Sequence, residues 1–237
     1  MLAALAVAVL LAGLSADPVA PQTRLFEGLF DLLLLACLLV FGRDQVPLLR
    51  RALVAALTFT IVSRFGSLQS DWAIVFQAAA GGCWLLALRI PTPLIVLRGD
   101  PPFPGSIKSM AGLPFVLWPM LMLFFLAPEM PNGWGADGWR AVIFAALGGA
   151  SASRIGRVGP RSLWGAMVAM VVWGVAWTLR SLFAAGQVEA EWTSVGLVAE
   201  CLSEAMLVGA LLAADGPRIS PEALAFAEAM DSEPEEI

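Results

Sequence analysis

The sequence contains no histidine and no tyrosine, and Lys108 is its only lysine. The absence of histidine excludes a His-ligated haem, a histidine metal site and a Ser-His-Asp triad. Lys108 lies beside a proline-rich stretch at the start of an apolar run, and this position argues against a retinal Schiff base in the middle of a membrane. The residues identify no cofactor.

Charge is also scarce, since charged residues make up 14% of the 237 residues and hydrophobic residues 59%. A soluble domain averages about 25% charged and about 45–50% apolar residues. A soluble domain of this size needs a polar shell, so we expect the outer surface to face lipid. No basic patch exists outside short loops, and nucleic acid is therefore not an expected partner. The expected partners are the lipid bilayer and other membrane subunits.

Eight apolar runs predict an all-α, polytopic transmembrane helical bundle. A helix needs about 20 mostly apolar residues, within a range of about 17–25, to cross the hydrocarbon core of a bilayer. Helices satisfy every backbone hydrogen bond internally, as lipid requires. Residues 1–216 are predicted to form the membrane domain and residues 217–237 an acidic cytoplasmic tail. The predicted spans are 2–16, 25–41, 48–68, 72–88, 109–127, 139–153, 162–184 and 192–214.

The first apolar run has two interpretations. It is short, and Ser15-Ala16-Asp17-Pro18 matches a signal-peptidase site. No lysine or arginine precedes the run, which argues against a signal peptide. We expect an uncleaved first helix and eight spans, whereas cleavage would leave seven.

Basic residues alternate between the two sides of the predicted bundle. The positive-inside rule places the side richer in lysine and arginine in the cytoplasm. This orientation puts the C-terminus in the cytoplasm and indicates a bacterial-type inner membrane. The richer side has Arg43, Arg50, Arg51, Arg89, Arg98, Lys108, Arg154, Arg157, Arg161 and Arg218, and the other side has Arg24, Arg64, Arg140 and Arg180.

The last predicted span contains Glu200, Ser203 and Glu204. The two carboxyl groups are four residues apart and share one helix face. At about 1.5 Å of rise per residue, they lie roughly 12 and 18 Å from Trp192, near the middle of the membrane. A charge there costs about 2.5–3.5 kcal/mol or more and needs a partner or water. The carboxyl groups either form a proton or cation site, or hold helices together as neutral or salt-bridged groups.

The second predicted span repeats this spacing with Glu27 and Asp31 in its outer half. We expect Glu27 to lie near the interface and to be solvated, and Asp31 to lie deeper. Arg180 could reach Glu200 or extend toward the lipid headgroups, and we expect the second. If the spans that contain Asp31, Arg64, Arg180 and Glu200 converge, they enclose a polar vestibule.

Other polar and aromatic residues lie within the predicted spans. Gln77 is expected to form an interhelical hydrogen bond, with a ligand contact as the alternative. Ordinary packing is the expected role of four tryptophans, although they could line a lipophilic groove for a lipid, quinone or pigment tail. These are Trp84, Trp118, Trp173 and Trp177.

The three cysteines, Cys37, Cys83 and Cys201, lie far apart and inside apolar runs. Without a CxxC pair, they are expected to act as small buried hydrophobic residues. The sequence also lacks a phosphate loop, a nucleophile elbow and a cluster of metal ligands. No metal site or catalytic residue is therefore predicted.

Three functions fit these features. The preferred one is an accessory or scaffolding subunit of a larger membrane complex, because no catalytic constellation is present. The alternative is a small transporter or a proton- or cation-conducting protein that uses the membrane-embedded carboxylates. The third is an intramembrane lipid-modifying enzyme, in which carboxylates and Ser203 would serve as acid, base or nucleophile.

Overall fold

A computed structural model describes residues 21–42, 46–65, 71–89, 105–126, 135–154 and 160–213. Within these ranges all regular structure is helical, which confirms the all-α prediction for this part of the chain. The predicted first span and the acidic tail lie outside the described residues. The helices are α1 (Pro21–Phe41), α2 (Pro47–Phe65), α3 (Asp71–Arg89), α4 (Gly105–Leu126), α5 (Gly135–Ala152), α6 (Pro160–Ala184) and α7 (Ala190–Leu212).

Proline and glycine mark several helix ends. Helices α1, α2 and α6 begin at Pro21, Pro47 and Pro160, where a missing N–H costs no helical hydrogen bond. Gly186 follows α6 with a φ of 70°, and its N–H donates to the Phe183 carbonyl oxygen at 2.9 Å. This left-handed residue ends α6 and turns the chain directly into α7.

Six of the helices form a closed ring. Helix α1 packs against α2 and α7, α2 against α3, α3 against α5, α5 against α6, and α6 against α7. Helix α4 lies outside this ring and packs mainly against α5, with a smaller contact to α6. The six ring helices therefore enclose an interior space.

Aromatic side chains fill much of this interior. Phe144 of α5 is only 1% exposed. Its ring lies edge-on to the rings of Phe115 and Trp118 from α4, and stacks on that of Trp177 from α6. Such pairs add about 0.5–1.5 kcal/mol each to the burial of apolar area. Phe144 therefore joins α4 to the ring.

Arg154 links three helices at the end of the bundle opposite the start of α1. It follows α5, and its guanidinium donates to the Leu88 carbonyl oxygen of α3 at 2.8 Å and to Ser162 Oγ of α6 at 3.4 Å. Burial lowers the pKa of the Arg154 guanidinium from its ordinary value. Since Arg154 is 3% exposed, its hydrogen bonds compensate for lost solvation.

Large hydrophobic side chains are exposed on every described helix, with Phe124 at 73%, Phe41 at 70% and Trp164 at 66%. Two segments, Ser162–Phe183 in α6 and Glu191–Leu212 in α7, are long and apolar enough to cross a membrane. Ile74–Arg89 and Met110–Phe125 are apolar but shorter. The predicted bundle of eight spans is therefore not confirmed. One physical reason is that α1 and α2 each contain three charged residues, and charge opposes insertion into lipid.

Candidate functional site: an internal cavity beside buried charges

Arg64, near the end of α2, connects four carboxyl groups. Its Nη1 lies 2.7 Å from Asp31 Oδ2, and its Nη2 lies 2.9 Å from Glu204 Oε1 and 3.4 Å from Glu200 Oε1. Its Nε lies 4.0 Å from Glu27 Oε2. Arg64 is 8% exposed and Asp31 is fully buried. A planar guanidinium with five N–H donors suits such shared recognition of several carboxylates.

Arg180 of α6 adds a second positive charge. Its Nη2 lies 2.5 Å from Glu27 Oε1, and its Nη1 donates to Glu200 Oε2. The expected extension of Arg180 toward lipid headgroups is therefore wrong. The expected solvation of Glu27 is also wrong, because Glu27 is 5% exposed. Both side chains pair with groups on other helices. The residue spacing within one helix does not determine which other helices lie beside it.

We call these six residues the buried cluster: Glu27, Asp31, Arg64, Arg180, Glu200 and Glu204. They come from α1, α2, α6 and α7, so the structure brings together the four helices that would form a vestibule. Removing one member of a buried ion pair costs about 3–5 kcal/mol, because its partner keeps an uncompensated charge. The buried cluster therefore holds these helices in register.

Arg140 of α5 is a charged site residue that the sequence analysis did not single out. It lines the same cavity as the buried cluster, and its positive charge acts on Glu200. One signal pointed to it, because Arg140 is one of the few arginines on the side of the bundle that is poor in basic residues. With Arg140 included, four carboxyl groups face three guanidinium groups among the described side chains. When all seven groups are ionised, their net charge is −1.

A cavity of about 300 Å³ lies next to these charges, and all six ring helices contribute to its lining. This volume is at the small end of the roughly 300–1,000 Å³ typical of small-molecule pockets. Charged and aromatic residues share its lining. The aromatic residues are Trp84, Phe144, Trp173, Trp177 and Phe183.

Three polar atoms of cavity-lining residues have no hydrogen-bond partner within the part of the chain that the structure describes. They are Trp177 Nε1, Thr193 Oγ1 and Glu204 Oε2. More than about 90% of buried polar groups in proteins are hydrogen-bonded. All three atoms are enclosed by protein beside the cavity, so they are exceptions to this pattern.

The four tryptophans of the predicted lipophilic groove do not share one surface. Trp84, Trp173 and Trp177 line the cavity, whereas Trp118 packs against Phe144 at its edge. Trp118 Nε1 donates to Thr178 Oγ1 at 3.0 Å, which joins α4 to α6. The structure thus places three of the four against the cavity and gives Trp118 a packing position.

Gln77 and Ser203 have different positions relative to the cavity. Gln77 of α3 lines it. Ser203 is buried, donates its hydroxyl to the Glu200 carbonyl oxygen at 2.7 Å, and lines a separate pocket of about 30 Å³ beside Glu204. A hydroxyl that is held by its own helix is poorly placed to attack a substrate.

The cysteines remain free thiols, with Cys201 buried and with Cys37 and Cys83 half-buried. Within the described residues, no group of three or more His, Cys, Asp or Glu residues could hold a metal ion. No protein-family model, curated protein or solved structure matches this chain. The chemistry of the site is therefore argued from its residues.

Proposed function

We propose that this chain is a multi-pass integral membrane protein that carries a small charged solute across the membrane through its internal cavity. One observation supports this most directly. A cavity of about 300 Å³ is surrounded by six helices and is lined by both ion-paired groups and tryptophan rings. A pocket with apolar walls and a few convergent polar groups is the usual form of a small-molecule site.

The distribution of polarity supports the membrane location. Large hydrophobic side chains are exposed on all seven described helices, while Arg64, Asp31 and Glu27 are buried. This arrangement is the reverse of what a water-soluble domain needs, because exposed apolar surface is costly in water and harmless in lipid. Charged groups within membrane spans usually face the bundle interior or a wet cavity.

The cavity lies toward one end of the bundle. Arg64 and Arg180 are near the ends of α2 and α6, and Thr193 is near the start of α7. These helix ends belong to the side that is poor in lysine and arginine. The positive-inside rule therefore places the cavity in the outer half of the membrane and the C-terminus in the cytoplasm.

A purely structural role explains the ion pairs but not the cavity. Helices that only need to be held together gain most from a filled core, since each void forfeits packing contacts. Here a space lined by aromatic rings lies directly beside the charges. This combination favours a site that is occupied by a ligand during function.

An accessory subunit of a membrane complex is the second candidate, and one observation favours it. Helix α4 lies outside the ring and exposes Met120, Leu121, Phe124 and Phe125. Such a face suits another membrane helix. Copurification of a defined partner that is lost on replacing Phe124 and Phe125 with alanine would support this function.

Transport can be tested on the full chain in liposomes by the uptake of radiolabelled solutes. Among a small cation, anion, zwitterion and neutral solute, one charged class is expected to enter faster than it enters empty liposomes. Glu200→Gln should reduce that uptake more than tenfold, because Arg180 and Arg64 both lose a partner. Glu191→Gln, an exposed carboxyl at the start of the same helix, is the matched control. If the folded wild-type protein takes up no solute faster than empty liposomes do, the proposal is wrong.

A further inference from the structure

We propose that the cavity binds a monovalent organic cation with an aromatic or alkyl body, and that this cation displaces one proton from the carboxyl groups around it. This inference rests on the proposed transport function and specifies its substrate class. It also makes the transporter an exchanger of one cation for one proton.

The charge count selects the sign and the valence of the ligand. Three carboxyl groups line the cavity, and a fourth, that of Asp31, is fully buried behind them against Arg64, whereas α2, α5 and α6 supply one guanidinium each. Since an uncompensated buried charge is strongly unfavourable, the empty site should hold one proton and the occupied site one positive charge. An anion would double the excess negative charge, and a divalent cation would reverse it. The groups counted are Glu27, Asp31, Glu200, Glu204, Arg64, Arg140 and Arg180.

The walls of the cavity select an organic cation over a small inorganic one. Trp84, Trp173 and Trp177 line the space, and tryptophan faces attract cations by about 2 kcal/mol or more when water is excluded. A small inorganic ion needs several oxygen ligands instead. Most carboxylate oxygens of the buried cluster already contact Arg64 or Arg180.

Glu204 is the carboxyl group that we assign to the cation. Its Oε1 lies 2.9 Å from Arg64 Nη2, and its side chain is 12% exposed. It lines the cavity together with Trp84 and Trp173. A cation that enters between these rings comes next to the Glu204 side chain, and Arg180 keeps its pairs with Glu27 and Glu200.

The exchange needs no covalent step. The cation enters the cavity, and one proton leaves a carboxyl group of the site for bulk water, so that the net charge of the site stays at zero. Release of the cation reverses both movements. Because either the proton or the cation compensates the same excess charge, the two compete, and a proton gradient can drive cation movement in the opposite direction.

The test uses three benzyl compounds of similar size with the wild-type protein in detergent. Benzyltrimethylammonium is a cation, N-benzylacetamide is neutral and phenylmethanesulfonate is an anion. Quenching of tryptophan fluorescence should show saturable binding of the cation, at least tenfold tighter than either of the others. In weakly buffered solution, about one proton should be released per cation bound. Equal binding of the neutral or anionic compound, or binding without proton release, would overturn the inference.

Two substitutions of Glu204 distinguish the effect of losing the charge from the effect of disturbing the fold. Glu204→Gln should weaken cation binding at least tenfold and abolish proton release, whereas Glu204→Asp, which keeps the charge, should retain both. Glu191→Gln should behave like the wild type. Cation binding that is unchanged in Glu204→Gln would contradict the assignment of Glu204.

The two proposals fail in different ways. If the anion binds and is also taken up into liposomes, the proposed substrate class is wrong and the transport function is supported. If the cation binds but no solute is taken up, the binding site is supported and the transport function is wrong.

Discussion

Replacing Arg64 with methionine removes the side chain that contacts all four carboxyl groups of the buried cluster. Its closest partners, Asp31 Oδ2 and Glu204 Oε1, lie at 2.7 and 2.9 Å. The substitution leaves Asp31, which is fully buried, without its positive partner. Methionine is similar in length and apolar, so the main change is in charge.

Two estimates set the expected loss in the free energy of unfolding. Breaking a buried ion pair from one side costs about 3–5 kcal/mol. The abandoned carboxylate can take up a proton instead, which at pH 7 costs about 4 kcal/mol for an ordinary aspartate pKa of about 3.9. We therefore expect Arg64→Met to lower the free energy of unfolding by about 4 kcal/mol at pH 7. At pH 5 protonation costs only about 1.5 kcal/mol, so the loss should shrink as the pH falls.

Unfolding in detergent micelles, followed by circular dichroism during titration with a denaturing detergent, measures this loss at both pH values. Arg51→Met, at an exposed position on the same helix, should change stability by no more than about 0.5 kcal/mol. Adding Asp31→Asn and Glu204→Gln to Arg64→Met should recover much of the loss, because no buried carboxylate is then abandoned by Arg64. A loss below about 1 kcal/mol, typical of a solvated ion pair, or a loss independent of pH, would refute the reasoning.

Two further predictions concern the packing of α4. Gly148→Ala should lower the thermal unfolding midpoint, at a cost of about 1–3 kcal/mol, because the new methyl group would overlap the Phe115 side chain. Gly149→Ala is the control and should be tolerated, because a methyl group there meets nothing within 4 Å. Equal unfolding midpoints for the two variants would argue against this packing. Thr178→Val should cost about 0.6–1.7 kcal/mol, because Trp118 Nε1 loses its acceptor; an unchanged midpoint would mean that the hydrogen bond contributes nothing.

Much of the helical organisation could be predicted from the sequence, because apolar runs and helix-starting prolines are local signals. The predicted run 25–41 corresponds to α1, which begins at Pro21. The run 139–153 corresponds to α5, which begins earlier, at Gly135. The difference has a physical reason. Hydropathy marks the apolar part of a helix, whereas backbone hydrogen bonding continues through polar residues such as Asp137.

The site was only partly predictable. The spacing of Glu200 and Glu204 places them on one helix face, and both do contact Arg64 Nη2. The same spacing does not predict which other helices lie next to this one. For that reason the expectations for Glu27 and Arg180 were wrong, since both pair with groups from other helices.

The central claim is that the helical ring has lipid outside and a wet, charged cavity inside. Single-cysteine variants in a background without Cys37, Cys83 and Cys201 test it directly in liposomes. Spin labels at the exposed positions Val75, Val142 and Val171 should collide with oxygen, which concentrates in lipid, and not with a water-soluble nickel complex. A label at Gln77, which lines the cavity, should show the opposite preference. Outer positions that collide freely with the nickel complex would contradict the account.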